Sequence, residues 1–220
     1  MAPDRRESQV ATQARIVELQ FCGGLILEPG TGMRVVVIVE GVSDRIAVEA
    51  LAARRGRKIP CEGVSVASVG GAHGIGRFLA RLDLEDPDVG LAGLCDAGEE
   101  AQFRRALERA GLGTDLTRPD MEALGFFVCE DDLEAELIRA VGPVAVEDLV
   151  AAQGDIAAFR TLQKQPQWKG RPAEEQLRRF MGSGAGRKIR YARLLVEALD
   201  LARVPRPLDG VLAYVERLMA

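Results

Sequence analysis

Arg34-Val35-Val36-Val37-Ile38-Val39-Glu40-Gly41-Val42-Ser43-Asp44 is the stretch that decides the fold. Five β-branched residues in a row, with no polar position between them, read as a strand covered on both faces, the pattern of a central parallel strand. The run stops at a carboxylate, Glu40. Gly41 then allows a tight turn, and Ser43 reads as the cap of a helix with Asp44 in its first turn. A carboxyl group at the end of a buried strand is costly without a partner, which singles out Glu40.

Outward from this stretch, short β-branched runs alternate with longer helical patterns. Arg34–Val39, Val64–Val69, Val89–Cys95 and Gly125–Cys129 read as strands, and Ser43–Arg55, Ala72–Leu82, Glu99–Ala110 and Asp131–Val141 as helices. This alternation predicts an α/β fold, a mostly parallel sheet of about four strands flanked by helices, with ligands at the carboxyl ends of the strands. Beyond Gly142 the strand signal ends. Val144–Gln153, Asp155–Gln165, Pro172–Met181, Lys188–Arg203 and Pro207–Met219 read as helices, several opening on Pro or Asp, and together form a helical C-terminal appendage. Ahead of the first strand, residues 1–32 lack a pattern and end in the turn-rich Glu28-Pro29-Gly30-Thr31-Gly32. The expected organisation is an N-terminal arm (1–32), an α/β domain (33–142) and a helical extension (143–220), with Met33 a candidate natural start.

Composition narrows the class. At 220 residues, 47% hydrophobic and 28% charged, the chain has enough apolar surface for one large domain and is not disordered. The longest apolar run, Val35–Val39, falls far below the ~18 residues of a membrane span, and the N-terminus has no apolar signal core, so the expected location is cytoplasmic. The four cysteines (Cys22, Cys61, Cys95, Cys129) never form C-x-x-C and there is one histidine, so no conventional zinc cluster is expected. Cys95 and Cys129 end apolar runs and read as small core residues.

Charge is segregated along the chain. From Asp83 to Glu136 there are 16 acidic residues against 4 arginines, and from Lys164 to Arg206 there are 11 basic residues against 4 acidic ones. An acidic middle can hold divalent cations and a basic C-terminal third can meet a polyanion, although ordinary solvated helix faces give the same counts. The position of the acids says more. Glu40 follows the first strand; Asp96 follows the third, with Gly98, Glu99 and Glu100 just after; Glu130, Asp131, Asp132 and Glu134 follow the fourth. In a parallel sheet these ends share one edge, and carboxylates crowded there repel unless a hard cation such as Mg²⁺ or Mn²⁺ sits between them. Asp44, Asp131 and Asp132 can equally serve as complements to helix dipoles.

These residues resemble the TOPRIM domains of topoisomerases, bacterial primases and OLD-family (overcoming lysogenization defect) nucleases. Val39-Glu40-Gly41-Val42-Ser43-Asp44 is similar to the first TOPRIM motif, and Cys95-Asp96-Ala97-Gly98 to the second, Asp-x-Asp. Asp132-Leu133-Glu134-Ala135-Glu136-Leu137 resembles the acidic Leu-Glu signature of OLD-type nucleases. Gly186-Arg187-Lys188-Ile189-Arg190-Tyr191-Ala192 resembles the stretch that places a lysine near the metals. The departure is Gly98, where the family has its second aspartate; Glu99 or Glu100 are the candidates to replace it.

The resemblance implies a Mg²⁺- or Mn²⁺-dependent endonuclease acting on nucleic acid, with DNA the expected substrate, Glu40, Asp44, Asp96 and Glu134 as metal ligands and Asp132 and Glu99 as secondary ones. Glu40, Asp96 and Lys188 are the implied catalytic residues, Glu40 doubling as a general acid/base. Arg187, Lys188, Arg190 and Arg193 are the implied nucleic-acid contacts. A primase would carry a zinc module, a topoisomerase a positioned tyrosine; Tyr191 and Tyr214, the two tyrosines, sit on helical faces where packing accounts for them. No G-x-x-x-x-G-K-[ST] occurs, so an ATPase would be a separate subunit. The rival expectation is a non-catalytic TOPRIM scaffold that binds nucleic acid or a partner protein. Gly70-Gly71-Ala72-His73-Gly74 lacks the dinucleotide fingerprint and reads as a tight turn. Gly182-Ser183-Gly184-Ala185-Gly186 reads as a mobile connector that delivers Arg187 and Lys188, and Trp168 as a packing anchor.

Overall fold

The structure, a computed structural model, describes residues 34–71 and 73–220. The expected arm and the candidate start at Met33 lie outside the described residues. Four strands, β1 (Arg34–Val39), β2 (Val64–Ser68), β3 (Val89–Cys95) and β4 (Phe126–Val128), form an all-parallel sheet in the order β2-β1-β3-β4. Helix α1 (Val42–Arg54) follows β1; α2 (Gly74–Leu79) joins β2 to β3; α3 (Glu100–Arg109) and α4 (Arg118–Ala123) join β3 to β4. The helical C-terminal part comprises α5 (Leu133–Val141), α6 (Pro143–Ala152), α7 (Ile156–Gln163), α8 (Ala173–Met181), α9 (Ala185–Ala198) and α10 (Arg206–Leu218).

The apolar run of β1 is covered on both sides, as its composition requires, and none of Val35–Val39 is more than 2% exposed. Val35, Val37 and Val39 pack with Ala47, Val48 and Leu51 of α1, Leu195 and Val196 of α9, and Val211 and Leu212 of α10. Val36 and Ile38 face the other way, onto Ile75 and Leu79 of α2, Phe103 and Leu107 of α3, and Met121 of α4. The C-terminal helices therefore supply much of one cover of the sheet. Gly93 in β3 is demanded by packing: a Cβ there would lie 2.5 Å from the Phe126 ring and 2.9 Å from the Ile38 carbonyl oxygen.

Strand order explains where a site can form. The chain steps from β1 to β2 on one side and then crosses to β3 on the other. Connections of a single hand must then put α1 on one face and α2, α3 and α4 on the opposite face, as observed. Between β1 and β3 the flanking helices diverge, leaving a crevice at the carboxyl ends of those two strands, the place where such sheets bind ligands. Glu40 and Asp96 stand at those ends.

One local reading changes, and one helix is added that the sequence analysis did not expect. Ala185 and Gly186 are not part of a connector but open α9, and Gly184 precedes it in extended backbone. Packing of α9 on α1 outweighs the weak helix propensity of the glycines. The short helix α4 has a sequence signal of its own: Thr117 Oγ1 accepts from the Asp120 amide, Asp120 Oδ2 accepts from the Thr117 amide at 2.9 Å, and Pro119 occupies the first turn. Among the described residues no helix is long and apolar enough to cross a membrane.

Candidate metal centre

Each acid is placed by the end of a strand or the start of a helix. Glu40 leaves β1 with its carbonyl accepting the Gly70 and Gly71 amides at 3.0 and 3.1 Å, so the glycine turn after β2 pins the backbone at this point. Its side-chain Oε2 is buried without a hydrogen-bond partner. Asp44, 7% exposed in the first turn of α1, accepts the Gly41 amide at 2.8 Å. Asp96 leaves β3 and accepts the Leu133 amide at 3.3 Å, while the Ala97 amide donates to the Asp131 carbonyl at 3.2 Å. These two bonds join the β3 end to the loop that launches α5. Asp132 caps α5 through Oδ1, 2.8 Å from the Ala135 amide, and Glu134, 5% exposed, lies in the first turn of that helix.

Their electrostatics show one connected cluster. Burial, then the charges of Asp44, Asp132, Glu40 and Glu134, raise the Asp96 carboxyl to about 8. Burial also lifts Glu134 to about 7, against the opposing pull of Lys188 and with Asp44 and Asp132 adding to the rise. Asp44 is raised by burial, opposed by its Gly41 amide and Lys188. Glu40 is raised by burial, then by Glu99 and Asp44. Acids from three strand ends thus feel one another in a poorly hydrated place.

A lysine reaches into this cluster. Lys188, near the start of α9, sits 3.2 Å from Glu134 Oε2. Burial pushes its ammonium down, but Glu134, Asp44 and Asp96 outweigh this and hold it above the ordinary lysine value. A lysine at a helix N-terminus is opposed by the helix dipole, so the acids are what make this position tenable.

The other expected contacts have different surroundings. Arg187 lies over the Phe180 ring at 4.2 Å and donates to Ser183 Oγ at 2.6 Å. Arg190 pairs with Asp155, whose Oδ2 also accepts the Tyr191 hydroxyl at 3.0 Å. Arg193 pairs with Glu197 one turn along at 2.7 Å. Glu99 is partly buried and its charge reaches Glu40. Gly98 is exposed, and nothing lies within 4 Å of where its Cβ would be. Cys95 and Cys129 are buried, free thiols pushed up by burial first, as expected of inert core cysteines. Trp168 packs against the main core.

Beside the acids opens a cleft of ≈ 500 Å³ lined by Asp132, Glu134, Lys188, Arg178, Arg179 and Trp168, among others. Arg178, which the sequence reading did not name, donates its Nε to Asp132 Oδ2 at 2.6 Å. No local pattern marks it, because its partner is 46 residues away and on another element.

The donor set fits a hard divalent cation. It is all carboxylate oxygen, it is strained by its own charge, and it includes the buried, unpartnered Glu40 Oε2. Among the described residues no three Asp, Glu, His or Cys side chains are yet gathered closely enough to hold an ion.

Residues 33–88 match the family model of the overcoming lysogenization defect protein-like TOPRIM domain. Among solved structures, the C-terminal region of the Burkholderia pseudomallei OLD protein is similar at a TM-score of 0.65 and 20% identity, covering 86% of this chain and 99% of that one. The C-terminal region of the Xanthomonas campestris pv. campestris OLD protein is similar at 0.68 and 23%, covering 85% and 94%. No curated protein matches the chain. Over residues 33–88 the chain is similar to an OLD-like TOPRIM domain, and its fold is that of these C-terminal regions.

Proposed function

We propose, from this OLD-like TOPRIM fold and the acids at its switch point, that the chain is a divalent-metal-dependent phosphodiester hydrolase acting on nucleic acid, with DNA as the substrate. The observation that carries the reading is the buried, unpartnered Glu40 Oε2, at the strand edge that also carries Asp44, Asp96 and Glu134, four carboxyls raised first by burial. Glu40, Asp44, Asp96 and Glu134 would hold Mg²⁺ or Mn²⁺, with Asp132 and Glu99 at the margin. When bound, the ion supplies the charge that makes water nucleophilic near neutral pH and steadies the phosphate.

The residues supply the rest. Glu40, at the end of β1, would also take the proton of the attacking water. Lys188 exchanges Glu134 for the developing negative charge on the phosphate, an electrostatic role that requires no large movement. Arg187, Arg190 and Arg193 on α9 would meet backbone phosphates by exchanging their present carboxylate or hydroxyl partners. An ATPase subunit is a further proposal, testable by co-purification from the native host.

The experiment is supercoiled plasmid nicking with Mg²⁺ or Mn²⁺. Metal-dependent nicking that Glu40→Ala and Asp96→Ala each abolish is the expected result, and retention by both variants overturns the assignment. Gly98, which carries no acid at the second motif, favours one rival reading, a TOPRIM scaffold that binds nucleic acid or a protein without cutting. Binding without cleavage under every metal condition would select it.

A further inference from the structure

We infer that Arg178 is a phosphate-binding residue of the cleft beside the acidic cluster, pre-aligned by Asp132, and that Arg179 extends the same contact along a nucleic-acid backbone. The inference rests on the nuclease reading and deepens it by naming where the polyanion enters. Each oxygen of Asp132 accepts one hydrogen bond, Oδ1 from the Ala135 amide and Oδ2 from Arg178 Nε, which leaves it at most a marginal ligand for the ion. Asp132 is thereby the anchor of an arginine.

The chemistry of that arginine follows from which edge is held. A guanidinium presents five N–H donors in a rigid fork, and Asp132 takes the Nε edge alone. Its two terminal nitrogens have no partner among the described residues, and the side chain is 45% exposed where it lines the cleft. A fork fixed along one side and open on the other matches two oxygens of a phosphate without the entropy cost of ordering a free side chain. Arg179, next in α8 and also lining the cleft, is exposed and makes no ion pair among the described residues. By contrast, Arg171 in the preceding loop is drawn to Glu175 and the Trp168 ring. The cleft also contains Lys188 and Glu134, so a backbone held by Arg178 would lie against the acids assigned to the ion.

The test is fluorescence anisotropy of a labelled DNA duplex and of its single strand, in EDTA and again in Ca²⁺, across a salt series. Arg178→Gln should weaken binding about 5- to 10-fold and lower the slope of log affinity against log salt by about one. Arg179→Gln should act in the same direction. Arg178→Lys should fail to restore binding, because an ammonium cannot hold Asp132 and two phosphate oxygens together. Asp132→Asn gives the sharpest sign. Removing a negative charge ought to tighten DNA on simple electrostatics, whereas loss of the anchor weakens it, and weakening in EDTA is the expected result. Wild-type binding in Arg178→Gln, full rescue by lysine, or tighter binding by Asp132→Asn overturns the inference while leaving the nuclease reading intact. If the wild-type chain binds neither DNA form with or without Ca²⁺, the nuclease reading fails and takes the inference with it.

Discussion

Asp96 is the residue whose environment says most about the metal-free protein. Its carboxyl rises from an unfolded value near 3.8 to about 8, so the folded chain holds a proton that the unfolded chain has lost over that interval. With more protons bound in the folded state, stability falls as pH rises, and the contribution is lost by the time pH passes about 8. Glu134, at about 7, adds in the same direction. In EDTA, the melting temperature should therefore drop between pH 5 and pH 8.5, on the order of 5 °C. Asp96→Asn should flatten that drop, and Mn²⁺ should reverse it in wild type; a metal-free melting temperature that rises with pH contradicts the assignment. Gly98 offers the complementary gain. Its surroundings are open and its backbone is not left-handed, so Gly98→Asp can be accommodated and should raise nicking several-fold. Plasmid relaxation rates at matched metal check this, and an unchanged or lower rate argues that a missing carboxylate is not the limitation.

Among the elements, β1 and α9 divide the work of building the centre. β1 was readable because a strand buried on both faces leaves an unbroken apolar run, and the carboxylate ending it had no packing role to explain it. The start of α9 was not readable, since Gly184 and Gly186 on either side of Ala185 weigh against a helix and the helix is imposed by its packing on α1. The same distinction separates Lys188, marked by motif, from Arg178, whose meaning depends on a partner in a distant loop. Asp155, at the start of α7, ties down α9 through Arg190 and the Tyr191 hydroxyl. Asp155→Ala leaves a buried hydroxyl unsatisfied and should cost about 1–3 kcal/mol in denaturant melts. It should also slow nicking more than it weakens metal binding, because it loosens Lys188 and leaves the carboxylates in place. Equal loss of both would show that α9 has no separate part in the reaction.

At the scale of the molecule, the sheet order produces a crevice between β1 and β3, and the C-terminal helices close one face of the same sheet. Tyr191, Leu195, Val196, Leu208, Val211 and Leu212 share a core with Val35, Val37 and Val39, so the strands are not covered without them. A chain ending at residue 142 should lose cooperative unfolding and bind hydrophobic dyes, as judged by calorimetry and fluorescence, while a sharply melting fragment would contradict this. At that crevice, carboxylates from the ends of β1, β3 and β4 are proposed to hold a divalent ion together. Calorimetric titration of Mn²⁺ into wild type, Glu40→Gln and Asp96→Asn tests it most directly. Saturable binding in wild type that falls at least tenfold in each variant is the predicted result. Undiminished binding in both variants, or no binding in any of the three, would contradict it.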